Sequence, residues 1–332
     1  MLRSLRSLAP LASRRAFPTT TATMANKLRI GFVPEHFSTP LHFAHEHFGL
    51  KADLIPFHSG TGHMIQSLQS NEIDMGIGLT EGWVNGIGDA IANKGGADAA
   101  GYKLVGTYVE TPLCWAISTG KDRELKRVEE LRGKKIGVSR IGSGSYVMGF
   151  VLADQHGWLD QSKPGEAPFE VVPLNTFAKL REAVKDGTAD FFMWEHFTSK
   201  RYYDNGEIKR IGEIYTPWPS WHIVARDPKD ERMQGMSDAI NKGIEYYGEH
   251  QQEAIEYIST HLDYSAEDAK EWTKTVRFAE NVRGVDPAVI EKTIDILAKA
   301  GRLNASKCGV EHMVAIKRAD KASNQIEKDS VE

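Results

Sequence analysis

Residues 131–146 read Leu131-Arg-Gly-Lys-Lys-Ile-Gly-Val138, then Ser-Arg-Ile, then Gly142-Ser-Gly-Ser-Tyr146. A short β run leads through a turn of small residues into a helical pattern with Val147, Met148, Val151 and Leu152 on one stripe. Phe169-Glu-Val-Val172 predicts the next strand, Pro173 to Lys185 a helix with Phe177, Leu180 and Val184 inward, and Ala189-Asp-Phe-Phe-Met193 a third strand. The same order stands about a hundred residues earlier. Leu28-Arg-Ile-Gly-Phe-Val33 is a strand, the turn Pro34 to Pro40 follows, and Leu41, Ala44, His45 and Phe48 share one side of a helix that stops at Gly49. Ala52 to Phe57 runs into Ser59-Gly-Thr-Gly62, which opens a helix with Met64, Ile65 and Leu68, and Asp74-Met-Gly-Ile-Gly-Leu79 closes the unit as a strand. Each stretch is a βαβαβ unit, which right-handed crossovers fold into a parallel sheet. Together they form an internal repeat of about fifty to sixty residues. Asp74 matches Asp190 in it, and Glu81 matches Glu195 just beyond the strands.

Outward from the repeats, Lys103-Leu-Val-Gly-Thr-Tyr108 and Leu113-Cys-Trp-Ala-Ile-Ser118 suit a crossing between two lobes. Lys209-Arg-Ile-Gly-Glu-Ile214 and Trp221-His-Ile-Val-Ala225 suit the return. Residues from 231 to about 301 carry apolar positions at helical spacing, and Asp286-Pro287 marks an N-cap with proline at the first helical position. The expected layout is a discontinuous first lobe, 27–113 with 226–316, a second lobe over 114–225, and a flexible charged tail over 317–332.

The 332 residues are 41% hydrophobic and 26% charged with a formal net charge of −4, and the mean hydropathy is −0.40. That balance suits two globular units and disfavours a general nucleic-acid binder. No apolar run approaches the ~20 residues of a membrane-spanning helix. Two cysteines, Cys114 and Cys308, exclude a disulfide framework and a cysteine-built zinc site. Residues 1–26 contain Arg3, Arg6, Arg14 and Arg15 and no acid, with Leu2, Leu5 and Leu8 spaced by three. This is the composition of a mitochondrial transit peptide. The expected location is the mitochondrial matrix, with initiation at Met24 giving a cytosolic alternative.

Ligands of open parallel sheets bind beyond the carboxyl ends of the strands. Each repeat places a small-residue turn there, Ser59-Gly60-Thr61-Gly62 and Gly142-Ser143-Gly144-Ser145. Glycine allows close backbone approach, and the free N–H groups of a helix start favour an anion. As alternatives these hydroxyls are simple N-caps. Neither turn is a P-loop or a GxGxxG fingerprint, so nucleotide hydrolysis and dinucleotide binding are disfavoured. Glu81 and Glu195 suit either acid–base work or acceptance of hydrogen bonds from a ligand, and Thr80 stands beside the first of them. Phe37 and Thr39 in the first turn join the ligand-binding candidates. Trp83, Trp115, Trp194, Trp218 and Trp221 gather near strand ends, where rings either stack on a heterocycle or pack the core, and Trp194 and Trp218 are the chosen stacking pair. His36, His42, His45 and His47 crowd together, but His45 and His47 fall about 200° apart on a helix and no H-E-x-x-H occurs, so no metal site is expected.

Leu131 to Val138, Gly142 to Ser145, Ser70-Asn-Glu-Ile-Asp-Met-Gly76 and Asp186-Gly-Thr-Ala-Asp190 resemble the periplasmic-binding-protein-like type II superfamily. The branch is similar to alkanesulfonate, taurine and nitrate binding proteins and to the fungal thiamine-pyrimidine precursor synthases. Leu79-Thr-Glu-Gly-Trp83, Phe192-Met-Trp-Glu-His196 and Pro217-Trp-Pro-Ser-Trp221 resemble a fungal and bacterial subgroup of it. The resemblance, over roughly 28–300, implies an α/β Venus-flytrap fold whose two lobes clamp a small molecule. The synthases use a lysine carrying pyridoxal phosphate, a sacrificed histidine and a cysteine-rich iron-binding run. Thr80 stands near the lysine position, Val84 or Asn85 near the histidine, and Thr216 to Trp221 over the cysteine run. No cofactor is therefore expected.

The resulting expectation is a non-catalytic, monomeric or weakly dimeric protein. Its ligand is anionic or heterocyclic, sulfonate-like or pyrimidine-like, with Ser59 to Thr61 and Ser143 to Ser145 holding an acid and Thr80, Glu81 and Glu195 taking donors. The alternative is an enzyme of thiamine-precursor or sulfur-compound metabolism with Glu81 or Glu195 as base.

Overall fold

A computed structural model describes residues 27–318 apart from 161, 164, 165 and 167. The expected leader, 1–26, and all but the first two residues of the expected tail lie outside the described residues. The chain runs β1 (Leu28–Phe32), α1 (Thr39–His47), β2 (Ala52–Pro56), α2 (Thr61–Gln69), β3 (Met75–Leu79), α3 (Thr80–Asn93) and β4 (Lys103–Val109). It continues with β5 (Cys114–Gly120), β6 (Lys135–Val138), α4 (Gly144–Gln155), β7 (Glu170–Pro173), α5 (Phe177–Asp186), β8 (Phe191–Glu195), α6 (His196–Asp204) and β9 (Ile208–Tyr215). β10 (Trp221–Ala225) precedes helices α7 (Arg232–Glu249), α8 (Gln251–His261), α9 (Ala266–Thr273), α10 (Pro287–Lys299) and α11 (Val310–Met313).

The strands form two five-stranded sheets, ordered β2-β1-β3-β10-β4 and β7-β6-β8-β5-β9. In each, the three strands of a repeat are parallel, and the two strands contributed by the crossings complete the sheet in antiparallel pairing. β1 and β6 therefore hold equivalent central places, as do β3 and β8.

One local device recurs in both repeats. Asp74 sits just before β3, where its Oδ2 accepts from the Arg29 N–H at 2.9 Å and its own N–H donates to the Arg29 carbonyl at 2.9 Å. Asp190 does the same before β8, accepting from the Lys135 N–H at 2.9 Å and donating to the Lys135 carbonyl at 2.9 Å. Each carboxylate also takes an arginine, Arg29 in the first sheet and Arg123 in the second. A carboxylate that satisfies both a strand's edge donor and a guanidinium fixes the register of a parallel pair. The glutamates do not repeat in this way. Glu195 ends β8, so its counterpart is Leu79 at the end of β3, and Glu81 lies two residues further on, inside α3.

The lobe boundary falls earlier than expected at the return crossing. Trp221–Ala225 pairs with β3 and β4, in the first sheet, and not with the second lobe to which 114–225 assigned it. Its five residues are all buried, which suits a strand flanked on both sides. The two crossings lie side by side: Leu113 and Thr216 bond through Thr216 N–H to the Leu113 carbonyl at 3.0 Å and Leu113 N–H to Thr216 Oγ1 at 2.9 Å. Ser220 Oγ donates to the Thr111 carbonyl at 2.8 Å. The expected cap at Asp286 is present, its Oδ1 accepting from the Ala288 N–H at 2.9 Å with Pro287 first in the helix. Among the described residues no helix is long and apolar enough to cross a membrane.

Candidate functional site

A cavity of about 110 Å³ opens where the carboxyl ends of β1, β2 and β3 face those of β6 and β8. That is room for a molecule on the order of ten non-hydrogen atoms. A second space of about 180 Å³ continues past Glu35 toward Phe177, Tyr202 and Tyr264.

The two small-residue turns reach the cavity, one from each lobe: Ser59, Gly60 and Thr61 from the first, Ser143, Gly144 and Ser145 from the second. The hydroxyls are partly committed. Thr61 Oγ1 accepts from the Leu79 N–H at 2.9 Å, Ser145 Oγ from the Ser139 N–H at 3.2 Å, and Ser143 Oγ caps α4 through the Tyr146 N–H at 3.4 Å. They brace the turns, which leaves the first N–H groups of α2 and α4 as the anion-favouring feature. Gly60 adopts φ 73°, a left-handed conformation that favours glycine. Trp194 also lines the cavity, stacked on Phe177 with ring centroids 4.9 Å apart. Glu195 lines it too, with Oε2 accepting from the Thr198 N–H at 2.7 Å and standing 3.7 Å from His36 Nε2. Burial would raise this carboxyl, but the His36 ring and the N–H donors at the start of α6 outweigh it and hold the group below its ordinary range.

Five candidates do not line this cavity. Thr80 donates its hydroxyl to the Pro219 carbonyl, and its Oγ1 lies 2.7 Å from His222 Nδ1. Burial keeps that histidine neutral by lowering its pKa to about 3. Trp218 Nε1 donates to Glu81 Oε2 at 3.0 Å, both side chains fully buried. Burial pushes Glu81 up to about 7, against the opposing effect of its own N–H and of Trp218. Thr80, Glu81 and Trp218 thus dock the Thr216–Ser220 crossing onto the start of α3. Thr39 donates to the His36 carbonyl at 2.8 Å. Phe37 packs edge-on to Trp272 at 5.3 Å and against Trp221 at 5.2 Å.

Sequence reasoning passed over the two groups of greatest electrostatic weight. Arg140, two residues beyond β6, lines the cavity half-buried, and among the described residues no acid pairs with its guanidinium. Burial alone lowers its pKa. Glu35, three residues beyond β1, lines the same cavity. Burial first, and the Glu195 charge second, push its carboxyl up to about 8. Its backbone is pinned, the Ser38 N–H and Oγ donating to its carbonyl at 2.8 and 2.7 Å, while its carboxyl finds no hydrogen-bonding partner among the described residues. Aligning the two repeats strand end to strand end was the signal that places both. Trp115 and Trp221 also line the cavity, and the buried Nε1–H of each lacks a partner among the described residues. An unmet buried donor costs about 1–3 kcal/mol. Trp83, by contrast, is core, its Nε1 donating to the His222 carbonyl at 3.2 Å. Among the described residues no group of histidine, cysteine or carboxylate side chains is arranged to hold a metal ion.

Comparison with known proteins places this architecture. No curated protein matches the chain. The family model of Ca3427-like periplasmic binding proteins matches residues 115–214, the span from β5 to β9. Two sulfonate-binding proteins share the fold: SsuA of Escherichia coli, an aliphatic sulphonate binding protein, is 18% identical with a TM-score of 0.65 over 89% of this chain and 94% of its own. SsuA of Xanthomonas axonopodis pv. citri, an alkanesulfonate-binding protein solved with MOPS, is 17% identical with a TM-score of 0.67 over 87% and 98%. The structure of the Candida albicans CA3427 gene product, which defines a new family with the generic periplasmic binding protein fold, is 42% identical with a TM-score of 0.77 over 89% of this chain and 99% of its own. Identity of that degree along nearly the whole of the Candida structure means that the chain belongs to the Ca3427-like family of the two-lobe periplasmic-binding-protein fold.

Proposed function

We propose that this protein binds a small anionic molecule between its lobes and does not transform it. The observation that carries the reading is Arg140, a half-buried cation without an acidic partner among the described residues, lining a cavity of about 110 Å³ beside the starts of α2 and α4. A cation kept from water without a counter-ion is stabilised by an arriving anion, and helix starts add N–H donors. The sulfonate-binding relatives of the same fold support an oxyanion such as a sulfonate as the acidic group. Of the two bases named for the alternative enzyme reading, Glu81 faces Trp218 behind the cavity wall, and Glu195, at the cavity, has its Oε2 engaged by Thr198 beside His36.

A thermal-shift panel of sulfonates, carboxylates and pyrimidines tests the reading. A compound at a hundredfold excess over its Kd adds about 2.7 kcal/mol to stability, and at least one anionic compound is expected to do so. A panel in which only uncharged or cationic compounds shift the transition overturns the anion assignment, and product formation in the incubated mixtures by mass spectrometry overturns the non-catalytic one. The same proposal assigns residues 1–26 to mitochondrial import, on their composition. Fractionation of cells expressing the tagged full-length chain, with recovery only outside mitochondria, removes that assignment.

A further inference from the structure

β1 and β6 occupy the same place in their respective sheets, yet the loops beyond them present an acid and a base to one cavity. Glu35 follows β1 and Arg140 follows β6, and both line it. They do not pair with each other: among the described residues neither side chain takes part in a hydrogen bond or ion pair. The remaining titratable groups at the cavity wall are Glu195 and His58. Glu195 is occupied by Thr198 and lies beside His36, and the Glu35 carboxyl stands near enough for the Glu195 charge to act on it. One end of the site therefore gathers two carboxyls and the other a guanidinium with two helix starts. Two unbonded indole N–H groups, on Trp115 and Trp221, complete the wall.

We infer, resting on the reading that this cleft holds an anion, that its ligand is a zwitterion. Its acid is held by Arg140, and its amine or amidine is taken by Glu35 and Glu195. A purely anionic ligand satisfies only one end of the cavity and brings negative charge toward two carboxyls. A protonated nitrogen does the reverse there: it is the partner that Glu35 lacks, and it offsets the repulsion between Glu35 and Glu195. Arg140 and Glu35 hold fixed places on the wall, so the length of the linker between the two ligand charges is what the site selects, and the space beyond Glu35, about 180 Å³, takes any substituent on the nitrogen.

Calorimetric titration of the intact protein with paired probes tests the inference. One set is the ω-aminoalkanesulfonates of two to five carbons, and the other is the n-alkanesulfonates of the same lengths, with n-alkylamines as a third. At the best length the aminosulfonate is expected to bind at least tenfold more tightly than its deaminated partner, and the Glu35→Gln variant to bring the two within about twofold of each other. Arg140→Gln is expected to weaken both. If the alkanesulfonates bind as well as or better than the aminosulfonates, the zwitterion assignment fails while the anion-binding reading stands. If no sulfonate binds at any length the zwitterion assignment fails, and if alkylamines alone bind the anion-binding reading fails with it. The comparison of probes on the unaltered protein holds even where the Glu35 variant does not fold.

Discussion

Glu81→Gln is expected to stabilise the protein by about 3 kcal/mol above pH 7 and to leave it nearly unchanged below pH 4.5. The carboxyl is fully buried behind the cavity wall, where its Oε2 accepts from Trp218 and its Oε1 has no partner among the described residues. Burial raises its pKa from 4.5 to about 7 in the folded chain. The native state thus binds more protons than the unfolded state between those values, and stability falls as the pH rises through that window. The displacement of roughly 2.5 units at about 1.36 kcal/mol each gives about 3 kcal/mol. Glutamine reproduces the protonated acid: its carbonyl still accepts from Trp218 and nothing remains to ionise. His222 and Glu35 add their own pH dependence, but both are present in variant and parent, so the difference between the two curves isolates Glu81. Urea unfolding at intervals from pH 4 to 8 measures it. Parallel curves would show that Glu81 is ionised at little cost and overturn the assignment of a buried, protonated acid at the crossing.

Gly62→Ala is expected to weaken anion binding by about a hundredfold without loss of stability. A Cβ on Gly62 falls 2.5 Å from Arg140 Nε and 2.8 Å from its Cζ, so the guanidinium lies flat on the first turn of α2, in the opposite lobe. The obstructed group is the far end of a flexible side chain, and it swings aside at small cost to the fold. Alanine also suits a helix better than glycine, by up to about 1 kcal/mol. The ligand's acid then loses its charge-assisted contacts, roughly 3 kcal/mol, or about a hundredfold in Kd. The measurement is paired: a thermal melt and a titration with the best sulfonate of the panel, alongside Arg140→Gln. A Gly62→Ala protein that melts at or above the parent temperature and binds as tightly as the parent rules out Arg140 as the anion's seat.

How much of this was legible in the sequence depends on the range over which each feature acts. The two βαβαβ units were read from apolar spacing and turn residues within about ten positions of one another, and the strands fell where that spacing placed them. Asp74 and Asp190 were recognisable as equivalent because each opens the third strand of its unit, and their partners, Arg29 and Lys135, lie on the neighbouring strand of the same unit. Thr80, Glu81 and Trp218 were read as ligand contacts because they stand at a strand end and in a stiff aromatic turn. Their partners sit close to 140 residues away, Trp218 on Glu81 and Thr80 on Pro219, and no local pattern reveals such pairing. Arg140 escaped for the opposite reason. A lone arginine between a strand and a glycine turn resembles any surface cation until the facing lobe shows that no acid answers it.

The side-by-side bonding of Leu113 and Thr216 has a further consequence. Everything between them, the whole second sheet and its helices, leaves and re-enters the first lobe at neighbouring points, and the match of the family model to 115–214 covers almost that segment. The second lobe is thus a single uninterrupted cassette set into a host. One exchange at two adjacent joints transplants Arg140, the α4 turn and Glu195 together while Glu35 stays behind. Hybrids between members of the family can therefore set the Arg140 and Glu195 wall of one member against the Glu35 loop of another, and a new selectivity can arise without altering either lobe.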